Sequence, residues 1–153
     1  MTIPIWTSRY QAQAEIIASE LTPVGITLGE PKFPLRYKLA DNVRMLAPSH
    51  REFHITDDAE FTASYRGRLD KFGVDRIRRL LFHIHHDAGI GNGLVLLCYE
   101  DVWAGEKCHR QDFAAWWLDR TGEQVHELPS RSTKADAGMQ MKLDEAVQEV
   151  LGV

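Results

Sequence analysis

Residues 94–110, LVLLCYEDVWAGEKCHR, carry the reading that decides the fold. The apolar run Leu94-Val95-Leu96-Leu97 predicts a strand that ends in Cys98, with Glu100 just beyond it. A polar loop containing one glycine then leads to Cys108-His109-Arg110, where a helix begins. Both cysteines of the chain, a carboxylate, an imidazole and a guanidinium are thereby gathered between one strand end and one helix start. In open α/β sheets ligands bind there, outside the carboxyl ends of the strands.

Working outward, Ile3-Pro4-Ile5-Trp6-Thr7 reads as a first strand and 12–21 as a helix with Ile16, Ile17 and Leu21 near one face. Residues 24–28 form a second strand candidate, punctuated by Gly29 and Pro31. The segment 32–58 holds two further prolines and scattered apolar residues. It predicts a long irregular cover with a short helix near 41–46, and long loops of this kind are often functional. Asp57-Asp58-Ala59-Glu60 marks a helix start, and Phe61, Tyr65, Leu69 and Phe72 recur at helical spacing up to Gly73. A further helix spans about 75–88, and Gly89, Gly91 and Gly93 turn the chain into the Leu94 strand. The helix after Arg110 ends at Thr121-Gly122, and 124–128 reads as a last strand.

Strands separated by helices predict a single α/β domain over 1–129 with a parallel or mixed central sheet. Residues 130–138 are small and polar, as in a linker. Residues 139–153 predict an amphipathic C-terminal helix whose apolar face docks on the body or on a second copy in a homodimer.

The 153 residues suffice for a core that buries about two-thirds of the unfolded surface. A formal charge of −4 excludes a uniformly basic nucleic-acid coat but leaves room for a local basic patch. No apolar run approaches the roughly 20 residues needed to span a bilayer, so no membrane partner is expected. The N-terminus lacks the basic and apolar regions of a secretory signal. A cytoplasmic location follows as the expectation, and with it two cysteines that act as thiols or metal ligands rather than as a disulfide.

Cys108-His109-Arg110 sits where the free N–H groups of a helix N-terminus attract anions, and Arg110 can clamp phosphate or carboxylate. The same position favours the Cys108 thiolate. A structural alternative makes Cys108 a small buried residue and pairs Arg110 with Glu100 or Asp112. Cys98, Cys108 and His109 could also ligate zinc, with water or Glu100 completing a tetrahedron. A tyrosine-phosphatase loop needs arginine six residues after its cysteine, and Ala104 and Ala114 stand there instead. The glycines 89, 91 and 93 precede a strand, the wrong side for dinucleotide binding, and no organic cofactor is expected. Arg76, Arg79, His83 and His86 make a helix face that could meet a polyanion, and Trp116-Trp117 a pair that could stack bases.

The elements LLCYE (96–100), CHR (108–110), the apolar helix that follows and VHEL (125–128) resemble the family catalogued as domain of unknown function four-eight-eight. The helix containing FTASYRGRL (61–69) and the first strand ending near Thr7-Ser8 fit the resemblance, which covers about 3–128. It implies a compact α/β domain with Cys98, Glu100, Cys108, His109 and Arg110 clustered in a pocket, joined by Tyr65, Thr7 and Ser8. It implies no reaction. The Asp-Val-Arg turn of many members is replaced here by Ile26-Thr27-Leu28-Gly29-Glu30-Pro31.

The leading expectation is an enzyme that acts on a phosphate-bearing small molecule or nucleic acid. Arg110 binds the anion, Glu100 and His109 move protons, and Cys108 is the nucleophile or modulates His109. The alternatives are a non-catalytic module for nucleic acid or another anionic ligand, and a zinc-stabilised domain.

Overall fold

The structure, a computed structural model, describes residues 2–89 and 91–130. The expected C-terminal helix, its homodimer contact and all but the first linker residue lie outside the described residues. The strands are β1 (Ile5–Arg9), β2 (Thr22–Gly25), β3 (Asp41–Asn42), β4 (Leu94–Cys98) and β5 (His126–Glu127). They form one sheet in the order β3-β2-β4-β1-β5, and every pairing is parallel. The helices are α1 (Gln13–Ser19), α2 (His50–Phe53), α3 (Asp58–Phe72), α4 (Val74–Ala88) and α5 (His109–Thr121).

β4 lies in the middle of the sheet and is buried at every residue, which is why its sequence is continuously apolar rather than alternating. Successive side chains still point to opposite faces. Leu94 and Leu96 pack with Tyr65 and Leu69 of α3, Ile77 and Leu81 of α4, and Phe113 of α5. Val95 and Leu97 face Tyr10, Ile16 of α1 and Leu21, with Leu35, Tyr37 and Leu39 laid over them. Each core leucine or isoleucine fully removed from water contributes about 1.5–3 kcal/mol before entropy is counted. By the same alternation, Cys98 falls on the α5 side of the sheet.

Local chemistry sets the boundaries. The Asp57 carboxylate accepts the Glu60 N–H at 2.9 Å and starts α3. Gly93 leads into β4 at φ 151°, where a Cβ would overlap the Pro4 carbonyl. Gly25 closes β2 because any side chain would strike the Tyr10 hydroxyl and the Asn42 amide.

Three elements differ from the sequence expectation. The first strand spans Ile5–Arg9 rather than 3–7, because pairing with β4 starts at Ile5 opposite Leu94. The second strand begins at Thr22 rather than Val24, because Thr22 already pairs with Leu94. Ile26 N–H still donates to the Leu97 carbonyl at 3.0 Å, and the chain then leaves the sheet at Thr27, tied to Asn42. Instead of one short helix over 41–46, Asp41–Asn42 pairs with β2 and a single 3-10 turn follows at Arg44–Leu46.

Candidate functional site

The register of the parallel sheet gathers the site at one edge. Arg9 pairs with Cys98 at the ends of β1 and β4, and Thr7 pairs with Glu127 of β5. The loop after β4 is fastened to that edge through Asp101, which forms an ion pair with Arg9 at 3.3 Å. Asp101 also accepts the Ala104 N–H at 3.2 Å, while Glu106 accepts the Asp101 N–H at 2.8 Å. This tight loop returns Cys108 to the end of β4, where it precedes the first residue of α5.

Cys98 and Cys108 are joined by a disulfide. The expectation of free thiols is thus corrected: composition could suggest a compartment, but it could not show that loop 99–107 folds back on itself. Cys98 is fully enclosed, and Cys108 lies toward a cleft that it helps to line.

His109 is buried between α3 and the end of β2. Its Nε2 lies 2.6 Å from the Ile26 carbonyl, an acceptor only, so Nε2 carries the proton. Nδ1 therefore keeps its lone pair and faces Cys108 Sγ at 3.6 Å. The Tyr65 ring meets the imidazole edge-on with centroids 5.8 Å apart. Burial pushes the imidazole pKa down to about 4, only partly opposed by the Ile26 carbonyl and reinforced by the nearby charges of Arg110 and Arg68. The ring is neutral near pH 7.

Arg110 is fully buried and internally committed. Nε and Nη2 donate to the two oxygens of Glu127 at 2.9 and 3.0 Å, and Nη1 donates to Cys98 Sγ at 2.9 Å. Thr7 Oγ1 donates to the same Glu127 carboxylate at 2.8 Å. The expected anion clamp is corrected accordingly: this guanidinium cannot grip a phosphate without surrendering Glu127. The structural alternative was right that Arg110 pairs with an acid, though that acid is neither Glu100 nor Asp112.

Cys108 and His109 help to line a cleft of about 1030 Å³, together with Phe53, Phe61 and Tyr99. Its lining holds six carboxylates (Glu30, Glu52, Asp58, Glu100, Glu106 and Asp112) against Lys32 and Lys107. Lys107 is already paired with Asp58. The lining thus carries an excess of carboxylates over ammonium groups. Glu100 is half-buried in this wall, with Oε2 sealed from solvent and without a hydrogen-bond partner among the described residues. Burial raises the Asp112 carboxyl, and a hydrogen bond from Thr62 limits the rise.

The other expected residues are held in the frame. Tyr65 is fully buried, its hydroxyl donates to the Leu46 carbonyl at 2.6 Å, and burial raises its pKa well beyond the ordinary range. Ser8 is enclosed in β1, with no partner for its hydroxyl among the described residues. Trp116 and Trp117 are both core residues whose indole N–H groups donate to Asp70 and Glu123, so neither can stack on a base. Arg76, Arg79, His83 and His86 form an exposed face of α4.

Three contributors were missed as site residues: Glu127, the Ile26 carbonyl and the Glu52–Arg68 pair. Glu127 was visible in the VHEL segment but not its partner. Ser49-His50-Arg51-Glu52 is a capping-box signature, and both of its reciprocal hydrogen bonds form. Arg68 spans Glu52 and the carbonyls of Met45 and Ala47, fixing the wall of the cleft beside α2. Among the described residues, no helix is long and apolar enough to cross a membrane. No family model, curated protein or solved structure matches the chain.

Proposed function

We propose that the protein is a thiol enzyme whose Cys98–Cys108 pair cycles between disulfide and dithiol beneath a ligand held in the cleft. The observation that supports this most is the placement of the two sulfurs. Cys108 lies at the cleft and at the start of a thirteen-residue helix, while Cys98 is enclosed behind it against Arg110. A helix N-terminus favours a thiolate at Cys108, and the guanidinium favours one at Cys98.

In this mechanism the Cys108 thiolate attacks one sulfur of a substrate disulfide. A new S–S bond forms to Cys108, and the first substrate thiolate leaves. The Cys98 thiolate then attacks Cys108 Sγ, the protein disulfide closes, and the second substrate thiolate leaves. Two protein thiols are oxidised and one substrate disulfide is reduced. Arg110 stabilises Cys98 as the attacking thiolate. Neutral His109 orients the Cys108 sulfur through Nδ1 without taking its proton.

Zinc enters as a second reading because of one observation: two sulfurs and an imidazole nitrogen lie within 4.8 Å of one another. The phosphate or nucleic-acid substrate expected from the sequence is replaced by a thiol or disulfide compound, in keeping with the acidic lining. A reducing compartment such as the cytoplasm would supply the dithiol state.

Reaction of the reduced protein with an aromatic disulfide tests the order of the sulfurs. Wild type should release two aromatic thiolates per chain and finish as the Cys98–Cys108 disulfide. Cys98→Ser should stop after one, with the adduct on Cys108. Faster reaction at Cys98, or none at either cysteine, overturns the proposal.

A further inference from the structure

We propose that the reduced Cys98–Cys108 pair and His109 form a site for a thiophilic divalent cation of the zinc type, and that oxidation to the disulfide expels the ion. This rests on the dithiol–disulfide cycle proposed above and adds its regulation.

The geometry of His109 carries the inference. Zinc–sulfur and zinc–nitrogen bonds of about 2.3 and 2.05 Å at a tetrahedral angle place sulfur and nitrogen about 3.6 Å apart. His109 Nδ1 and Cys108 Sγ are separated by 3.6 Å. The proton on Nε2 is held by the Ile26 carbonyl at 2.6 Å, which turns the Nδ1 lone pair toward the sulfurs. A backbone carbonyl on the far nitrogen is the usual support of a metal-bound histidine. Once the S–S bond of about 2 Å is broken, the sulfurs need open only to about 3.8 Å to occupy two tetrahedral corners.

Charge points the same way. Two thiolates in this enclosed place carry two negative charges, and Arg110, which contacts only Cys98 and is shared with Glu127, offsets no more than part of one. A divalent cation brings the ligand set to neutrality. The cleft leading to the site concentrates cations through its carboxylates. Cys108 and His109 border that cleft, so the fourth position opens to water or a ligand, the pattern of catalytic zinc.

The same sulfurs cannot serve both states. With a hydroperoxide as oxidant, the two thiolates give up two electrons and form the S–S bond. The O–O bond breaks, two protons are taken up to give alcohol and water, and the cation leaves.

Elemental analysis and cobalt spectra of the full chain test this. Reduced protein loaded with zinc and passed over a chelating resin should retain one zinc per chain, and oxidised protein none. Cobalt should give the intense visible bands of a tetrahedral ion together with thiolate charge transfer. Cys108→Ser and His109→Gln should weaken zinc binding by roughly 100-fold or more. Hydrogen peroxide should release zinc in step with thiol loss. Should either variant fail to fold, the wild-type cobalt spectrum decides. A dithiol that reacts with the aromatic disulfide yet binds neither ion overturns this inference and leaves the proposed function standing. Thiols inert to that reagent remove both.

Discussion

Arg110 and Glu127 form a two-pronged ion pair, with N–O distances of 2.9 and 3.0 Å, whose remaining guanidinium nitrogen Nη1 rests on Cys98 Sγ. The pair thus joins the packing of α5 against β5 to the electrostatics of the buried sulfur. Glu127 also receives Thr7, so one carboxylate ties β1, β5 and α5 together.

Removing one partner leaves the other charged and enclosed. Glu127→Ala is expected to cost about 3–5 kcal/mol in urea unfolding. Replacing both partners by apolar residues, Arg110→Met with Glu127→Leu, should cost clearly less than the sum of the single changes. Additive losses would show that the pair does not act as a unit.

The imidazole of His109 gives the oxidised protein an acid-sensitive term. Unfolded, the group has its ordinary value of 6.5; folded, burial takes it down to about 4. The unfolded chain therefore binds the extra proton, so the contribution is complete above pH 6.5 and is lost as pH falls toward 4. About 2–3 kcal/mol should disappear across that window. Between pH 6.5 and 4.5 the change precedes Glu52, whose carboxyl is held below its ordinary 4.5. There burial works upward but is outweighed by Arg68, the Ser49 amide and Ser64. Urea midpoints measured against pH should flatten in His109→Gln.

Arg68 holds the wall of the cleft from α3. Arg68→Ala strands the buried Glu52 carboxylate and frees the Met45 and Ala47 carbonyls. The loss should be about 3 kcal/mol or more. Amide exchange over residues 44–53 should accelerate more than that of β4.

The fold was readable because β4 is so uniformly apolar and because the glycines before it and the cysteine that closes it mark its ends. The placement of Cys98, Cys108, His109 and Arg110 at one edge followed from the same segment. Their chemistry did not, since it depends on contacts remote in sequence. His109 is neutralised by burial and oriented by Ile26, and Arg110 is claimed by Glu127 across α5. α2 escaped notice because four residues carry no periodicity, although its capping box was present. The second strand was displaced because apolar pattern pointed to 24–28, while the register with β4 starts pairing at Thr22.

Gly93 tests how closely the sheet is built around β4. Gly93→Ala forces a Cβ onto the Pro4 carbonyl at a backbone angle that alanine resists. It should cost about 1–3 kcal/mol or more in thermal or urea unfolding. An unchanged midpoint would mean that the β1–β4 junction differs from the one described.

The most direct measurement is redox equilibration of Cys98 and Cys108 in glutathione buffers, followed by alkylation and mass mapping of both peptides. A reversible two-electron couple predicts one transition in which both cysteines lose alkylation together. Cys108 should carry the only mixed disulfide when Cys98→Ser is used. Two cysteines that oxidise independently, or that never pair across the full range of buffers, would contradict the account.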